Sequence, residues 1–120
     1  MKKNWEPTYI DLENLINISR GDKQRMLKYL KQFQELIPQR IENVKQSLAK
    51  EDRKMIRQIL HQMSPQLQFF GIPDVLRPIR RLEHDYDTIP MEELTAIVND
   101  LLAKLKGAND DVEMILKNNF

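Results

Sequence analysis

The stretch ILHQMSPQLQFFG, from Ile59 to Gly71, holds His61, one of two histidines in the chain, and a proline four residues later. Imidazoles in water titrate near pH 6.5, so an exposed ring is mostly neutral at about pH 7. A neutral ring keeps a nitrogen lone pair and can act as a nucleophile. Each residue of an α-helix turns by about 100°. With His61 as the origin, Met55, Ile56, Ile59, Leu60, Met63, Leu67 and Phe70 fall on the far half of the wheel. Lys54, Arg57, Ser64, Pro65 and Gln68 share the histidine's side. His61 is therefore expected on the solvated face, not in the core. That position permits chemistry; an ordinary surface histidine would occupy it equally well.

Other arrangements carry less. His84 lies in LEHDYD beside Glu83, Asp85 and Asp87. Adjacent helical residues diverge, so a polar helix end is expected there in preference to a metal site. The basic run RPIRR, Arg77 to Arg81, is short, and solvated charge is its default reading. No Gly-rich phosphate loop, paired-carboxylate spacing or Ser/His/Asp arrangement stands out.

The elements that must position His61 are helical. Asp11 is a plausible N-cap for a short helix in DLENLINIS. In the following segment Met26, Leu30, Phe33, Ile37, Ile41, Val44 and Leu48 recur at steps of three or four, one apolar stripe. Pro38 interrupts it without shifting the stripe, so a bent helix or two nearly collinear ones are expected. The histidine helix should start near Glu51 or Asp52 and end at Gly71, which tolerates positive φ. Another helix covers roughly 74–86, with Val75, Leu76, Ile79, Leu82 and Tyr86 inward and Pro78 awkward outside a first turn. From Met91 the stripe resumes through Leu94, Ile97, Val98, Leu101, Leu105, Val112, Ile115 and Leu116, and Gly107 is expected to bend or split that helix. No segment alternates like a half-buried strand. The fold class is all-α: an antiparallel up-and-down four-helix bundle with a short extra N-terminal helix. Residues 1–9 read as an extended lead-in, with Trp5 and Tyr9 available to pack on the bundle.

Composition agrees with one such domain over residues 1–120. Hydrophobic residues make up 41% and charged residues 31%, enough for both a core and a solvated surface. Lys+Arg (19) nearly balances Asp+Glu (18), so no general attraction to nucleic acid is expected. With no cysteine, disulfides, thiolate metal sites and cysteine nucleophiles are excluded. No apolar run reaches membrane-spanning length, and MKKNWEPTYID lacks the apolar core of a signal peptide. A cytoplasmic monomer is expected.

The string HQMSPQLQFFGIPDVLRPIRRLE, His61 to Glu83, resembles the histidine-containing phosphotransfer (HPt) domains of bacterial phosphorelays. The ordered features are the histidine, a glycine ten positions later, a helix with spaced apolar residues, and Leu82-Glu83. Upstream, the Asp-Leu opening, the Gly-Asp before the first long helix, its Phe and Pro, and an Asp before the histidine helix extend the resemblance over Tyr9 to about Leu116. The resemblance implies a phosphocarrier without kinase activity of its own. His61 would accept and donate a phosphoryl group, exchanging it with receiver-domain aspartates. The partners it implies are a response-regulator receiver domain and a hybrid sensor histidine kinase, with Mg²⁺ on the receiver and no cofactor on this chain. Two departures bear on the strength of transfer. The family's usual lysine three residues after the histidine is Ser64, and the glycine after it is Pro65. Position 68, often small, is Gln68. Charge compensation is then expected from Arg57 and Lys54, and one hydrogen bond from Ser64. Met63, Phe69 and Ile72, with Gly71 and Pro65 beside them, are expected as docking contacts within a polar ring of Arg57, Gln62, Ser64 and Gln68. For Phe69, packing on a neighbouring helix stands as an equal reading. The alternative from another class is a non-catalytic adaptor that binds a receiver or kinase without accepting phosphate.

Overall fold

The computed structural model describes residues 7–119. Five helices follow in order: α1 (Leu12–Ile18), α2 (Lys23–Ala49), α3 (Arg53–Phe69), α4 (Pro73–Asp85) and α5 (Met91–Asn119). No strand occurs among the described residues. The apolar stripes dictate the assembly: α2 packs on α3 and α5, α4 closes the ring between α3 and α5, and α1 lies across α3. The result is the expected up-and-down bundle, elongated at 49 × 22 × 20 Å. Its core runs from Leu30, Phe33 and Ile37 through Leu60, Met63 and Leu67 to Leu101, Leu105 and Ile115.

Local chemistry sets the helix ends. The Asp11, Asp22 and Asp52 carboxylates accept from backbone N–H groups of the first turns of α1, α2 and α3. Gly71 has φ +61°, and a Cβ there would lie 2.8 Å from the Asp11 Cβ. Both the backbone conformation and the close approach of α1 thus require glycine at the end of α3. α1 also covers that end. Asp11 N–H donates to the Phe70 carbonyl (3.0 Å) and Asn14 Nδ2 to the Phe69 carbonyl (3.0 Å).

Three prolines sit inside helices that continue through them. Pro38 and Pro65 are exposed, so both rings lie on the solvated faces of their helices, away from the core. Pro73 opens α4 one residue earlier than expected, and Pro78 falls in the second turn rather than the first. α2 is one helix across Pro38. α5 is also unbroken, which corrects the expectation that Gly107 bends or splits it. Gly107 serves packing: a Cβ there would overlap the Tyr9 ring. Trp5, with most of the lead-in, lies outside the described residues.

Asp111, only 5% exposed, holds the start of the described chain. Its carboxylate accepts from Thr8 N–H (3.2 Å), Tyr9 N–H (2.7 Å) and Ile10 N–H (3.2 Å). A buried carboxylate with three backbone donors meets the requirement that buried charge be hydrogen-bonded. Met55 corrects another expectation. It lies in the first turn of α3 and is 42% exposed rather than in the core.

Candidate functional site

His61 stands at mid-length on α3 with 65% of its side chain exposed. Leu60 and Met63 beneath it are fully buried, so its helix is held from below while the ring faces out. Its Nδ1 lies 2.9 Å from Oε1 of Glu83 on α4, whose side chain is 26% exposed. A carboxylate only accepts, so this contact favours a proton on Nδ1 and a free lone pair on Nε2. The sequence points to both residues but not to their meeting. A signal was present: they are equidistant from Ile72, about which the α3–α4 hairpin folds.

Arg57, one turn before His61, is half-buried and turned toward α4. Its Nε donates to the Glu83 carbonyl (3.4 Å) and its guanidinium lies 5.3 Å from the centroid of the Tyr86 ring. Arg53, a further turn back, donates to the Tyr86 and Ile89 carbonyls. These arginines fasten the two helices in register below the histidine. Ser64, one turn beyond His61, turns its hydroxyl back to the Leu60 carbonyl (3.4 Å). Lys54, Pro65 and Gln68 are exposed on the same helix. On the other flank, Arg40 of α2 donates to Gln62 Oε1 (2.7 Å), a contact the sequence reading missed.

The docking contacts divide. Met63 and Ile72, expected at the surface, are fully buried and cannot touch a partner. For Met63 the wheel already indicated the core; Ile72 is drawn in at the start of α4, where its carbonyl accepts from Val75 and Leu76. Gly71 is half-buried under α1. Phe69 satisfies both of its readings. It stacks on Tyr29 of α2 at 5.4 Å and remains 39% exposed.

His84 bonds its neighbour Asp85 (Nδ1–Oδ1 2.6 Å), and both side chains are open to water. That hydrogen bond, with the attraction of the carboxylate, raises the pKa of His84. Glu83 turns to His61 instead, so LEHDYD does not gather round one point. Among the described residues no three His, Cys, Asp or Glu side chains converge. The basic run also divides: Arg77 lines a groove facing α5, Arg81 pairs with Glu93 (2.5 Å), and Arg80 is exposed elsewhere on α4.

The fold is that of an HPt domain. The crystal structure of the HPT domain of a sensor hybrid histidine kinase from Shewanella superposes with a TM-score of 0.79, over 90% of this chain and 93% of that one, at 18% identity. No family model matches the sequence, and no curated protein does. Among the described residues no helix is long and apolar enough to cross a membrane.

Proposed function

We propose that the chain is a phosphorelay intermediate that accepts a phosphoryl group on Nε2 of His61 and passes it on, exchanging with aspartyl phosphates of receiver domains. The observation that carries this reading is the exposed His61 ring with Nδ1 held by Glu83. An outward Nε2 lone pair on a rigid helix is what an incoming phosphoryl group requires. Nε2 attacks phosphorus in line, through a loose transition state with charge on the equatorial oxygens. The N–P bond forms as the P–O bond to the aspartate breaks, and that electron pair leaves with the aspartate carboxylate. The ring keeps its Nδ1 proton and gains positive charge, which the Glu83 carboxylate faces. The reverse transfer retraces these steps.

In this reading the bundle places the nucleophile and is not itself an enzyme. The receiver is expected to bring Mg²⁺; this chain needs no cofactor. Exposed Gln62, Pro65, Gln68 and Phe69 surround His61 and supply a semi-polar rim for docking. The partners are a response-regulator receiver and a hybrid sensor kinase, and the carrier works as a cytoplasmic monomer. One observation favours the adaptor as second reading: Ser64 brings no charge and is engaged with its own helix. The test is incubation with receiver domains carrying aspartyl phosphate and Mg²⁺, followed by intact mass. An acid-labile gain of one phosphoryl group, absent in His61→Gln, is expected. Tight receiver binding without any gain would replace the carrier by the adaptor.

A further inference from the structure

A phosphoryl group on Nε2 would place negative charge on the open side of a ring whose other side already faces a carboxylate. Such a group is held best where a cation stands within reach. α3 has little to offer. Arg57 is engaged with the Glu83 carbonyl and the Tyr86 ring, and Ser64 is neutral. Lys54 stands two turns away, about 10 Å along the axis.

The neighbouring helix α4 differs. α3 and α4 run antiparallel, and two contacts fix their register: His61 meets Glu83, and Arg57 meets Tyr86. Carried one turn toward the Gly71 connection, that register sets Arg80 opposite Ser64. Arg80 lies three residues before Glu83, so it shares the flank that faces α3, about 4.5 Å along the axis. It is exposed and has no hydrogen bond or ion pair among the described residues. The other two arginines of the run are turned to α5.

We propose that Arg80 is the cation that binds the phosphoryl group on His61, delivered from α4 across the hairpin in place of one from α3. This rests on His61 being the acceptor. A guanidinium suits the task, because its planar fork can donate to two phosphoryl oxygens at once.

The test uses phosphoramidate, a small phosphoryl donor that needs no protein partner. The full chain and its Arg80→Ala, Arg80→Lys and Arg77→Ala variants are loaded, and His61→Gln identifies the His61 signal by its loss. The phosphorus resonance is then titrated with pH. A nearby cation favours the fully ionised phosphoryl group, so Arg80→Ala should raise its titration midpoint by about half a pH unit. Arg80→Lys should recover much of the difference and Arg77→Ala should match the parent. An unchanged midpoint in Arg80→Ala overturns the proposal, as does an equal rise in Arg77→Ala, which would mean net charge alone. An Arg80-dependent midpoint on a chain that accepts nothing from any receiver would uphold the phosphoryl contact and defeat only the carrier reading.

Discussion

Glu83 and Asp111 each bring a carboxylate to groups on another part of the chain, under opposite conditions. Asp111 is sealed in the bundle and accepts three backbone donors, so its contact is complete. Glu83 is partly open to solvent and meets one nitrogen of a ring that is mostly in solvent. Removing a carboxylate of the first kind strands a buried donor and two part-buried ones; removing one of the second lets water replace it. The pairing teaches where this molecule keeps its stability and where it leaves bonding capacity free. Asp111 ties the start of the fold to α5. Glu83 orients a group whose other nitrogen is unspent.

The sharpest way to break the comparison is at the ring itself. His61→Gln should abolish phosphorylation while changing stability by less than about 0.5 kcal/mol, as expected for an exposed side chain. Intact mass and urea unfolding on the same preparation check both halves. A large loss of stability would mean that His61 belongs to the scaffold, and the contrast with Asp111 would fail.

Asp111→Ala should show the reverse. Three amides lose a charged acceptor, that of Ile10 in a buried bond and those of Thr8 and Tyr9 in part-buried ones, a cost of about 3 kcal/mol. Asp111→Asn should fall between, because its amide keeps an oxygen but adds hydrogens toward three donors. Urea midpoints give the order. Phosphoryl acceptance per folded molecule should be unchanged in both, since this clamp joins the N-terminal segment to α5 and the proposed acceptor, His61, stands on α3.

Next in size is Glu83. Glu83→Ala removes both the acceptor for Nδ1 and the charge facing the ring, and should slow phosphoryl acceptance roughly fivefold, the worth of about 1 kcal/mol. Glu83→Gln keeps an oxygen acceptor and should recover part of that rate. Single-turnover loading from a charged receiver measures it. Equal rates for all three would leave Glu83 without a positioning role.

Legibility divides along the same line. The helices, the Asp11 cap, the start of α3 at Asp52 and the Gly71 that ends it were readable because spacing and local hydrogen bonding determine them; the Asp22 cap was not read as one. The wheel placed His61 outside correctly because exposure on a helix is a matter of angle. It failed for Met55, which the 100° step sets at the edge of the apolar stripe: Met55 is 42% exposed while Ile56 beside it is buried, and angle does not report how far the facing helices cover that edge. The expectation of a bend or break failed at Gly107, whose reason is the Tyr9 ring nearly a hundred residues away in sequence. Asp111 drew no notice for a similar cause: its partners are backbone groups at the far end of the chain, and nothing in an isolated aspartate announces them. The Glu83 contact was within reach, because a tight hairpin pairs residues equidistant from its turn.

The smallest expected effect concerns the second histidine, which sharpens what the first one is. His84 also has a carboxylate within hydrogen-bond distance, but that carboxylate is its own neighbour and neither group is held by another helix. The hydrogen bond to Asp85 raises the pKa of His84 in the folded chain above its ordinary 6.5. With Asp85 ionised, the contact favours folding in full below that ordinary value, and the benefit is lost as pH rises through the higher folded value. Because both groups are in water, the change in stability should escape detection, whereas the titration should not. Proton NMR of the imidazole Cε1 hydrogen should place the His84 midpoint above 6.5 and return it toward that value in Asp85→Asn. The same substitution should leave phosphoryl loading at His61 untouched. If it slowed loading, the polar end of α4 would extend into the site, and the boundary between a cross-helix contact that orients the proposed nucleophile and a neighbour contact that merely shifts a titration would have to be redrawn.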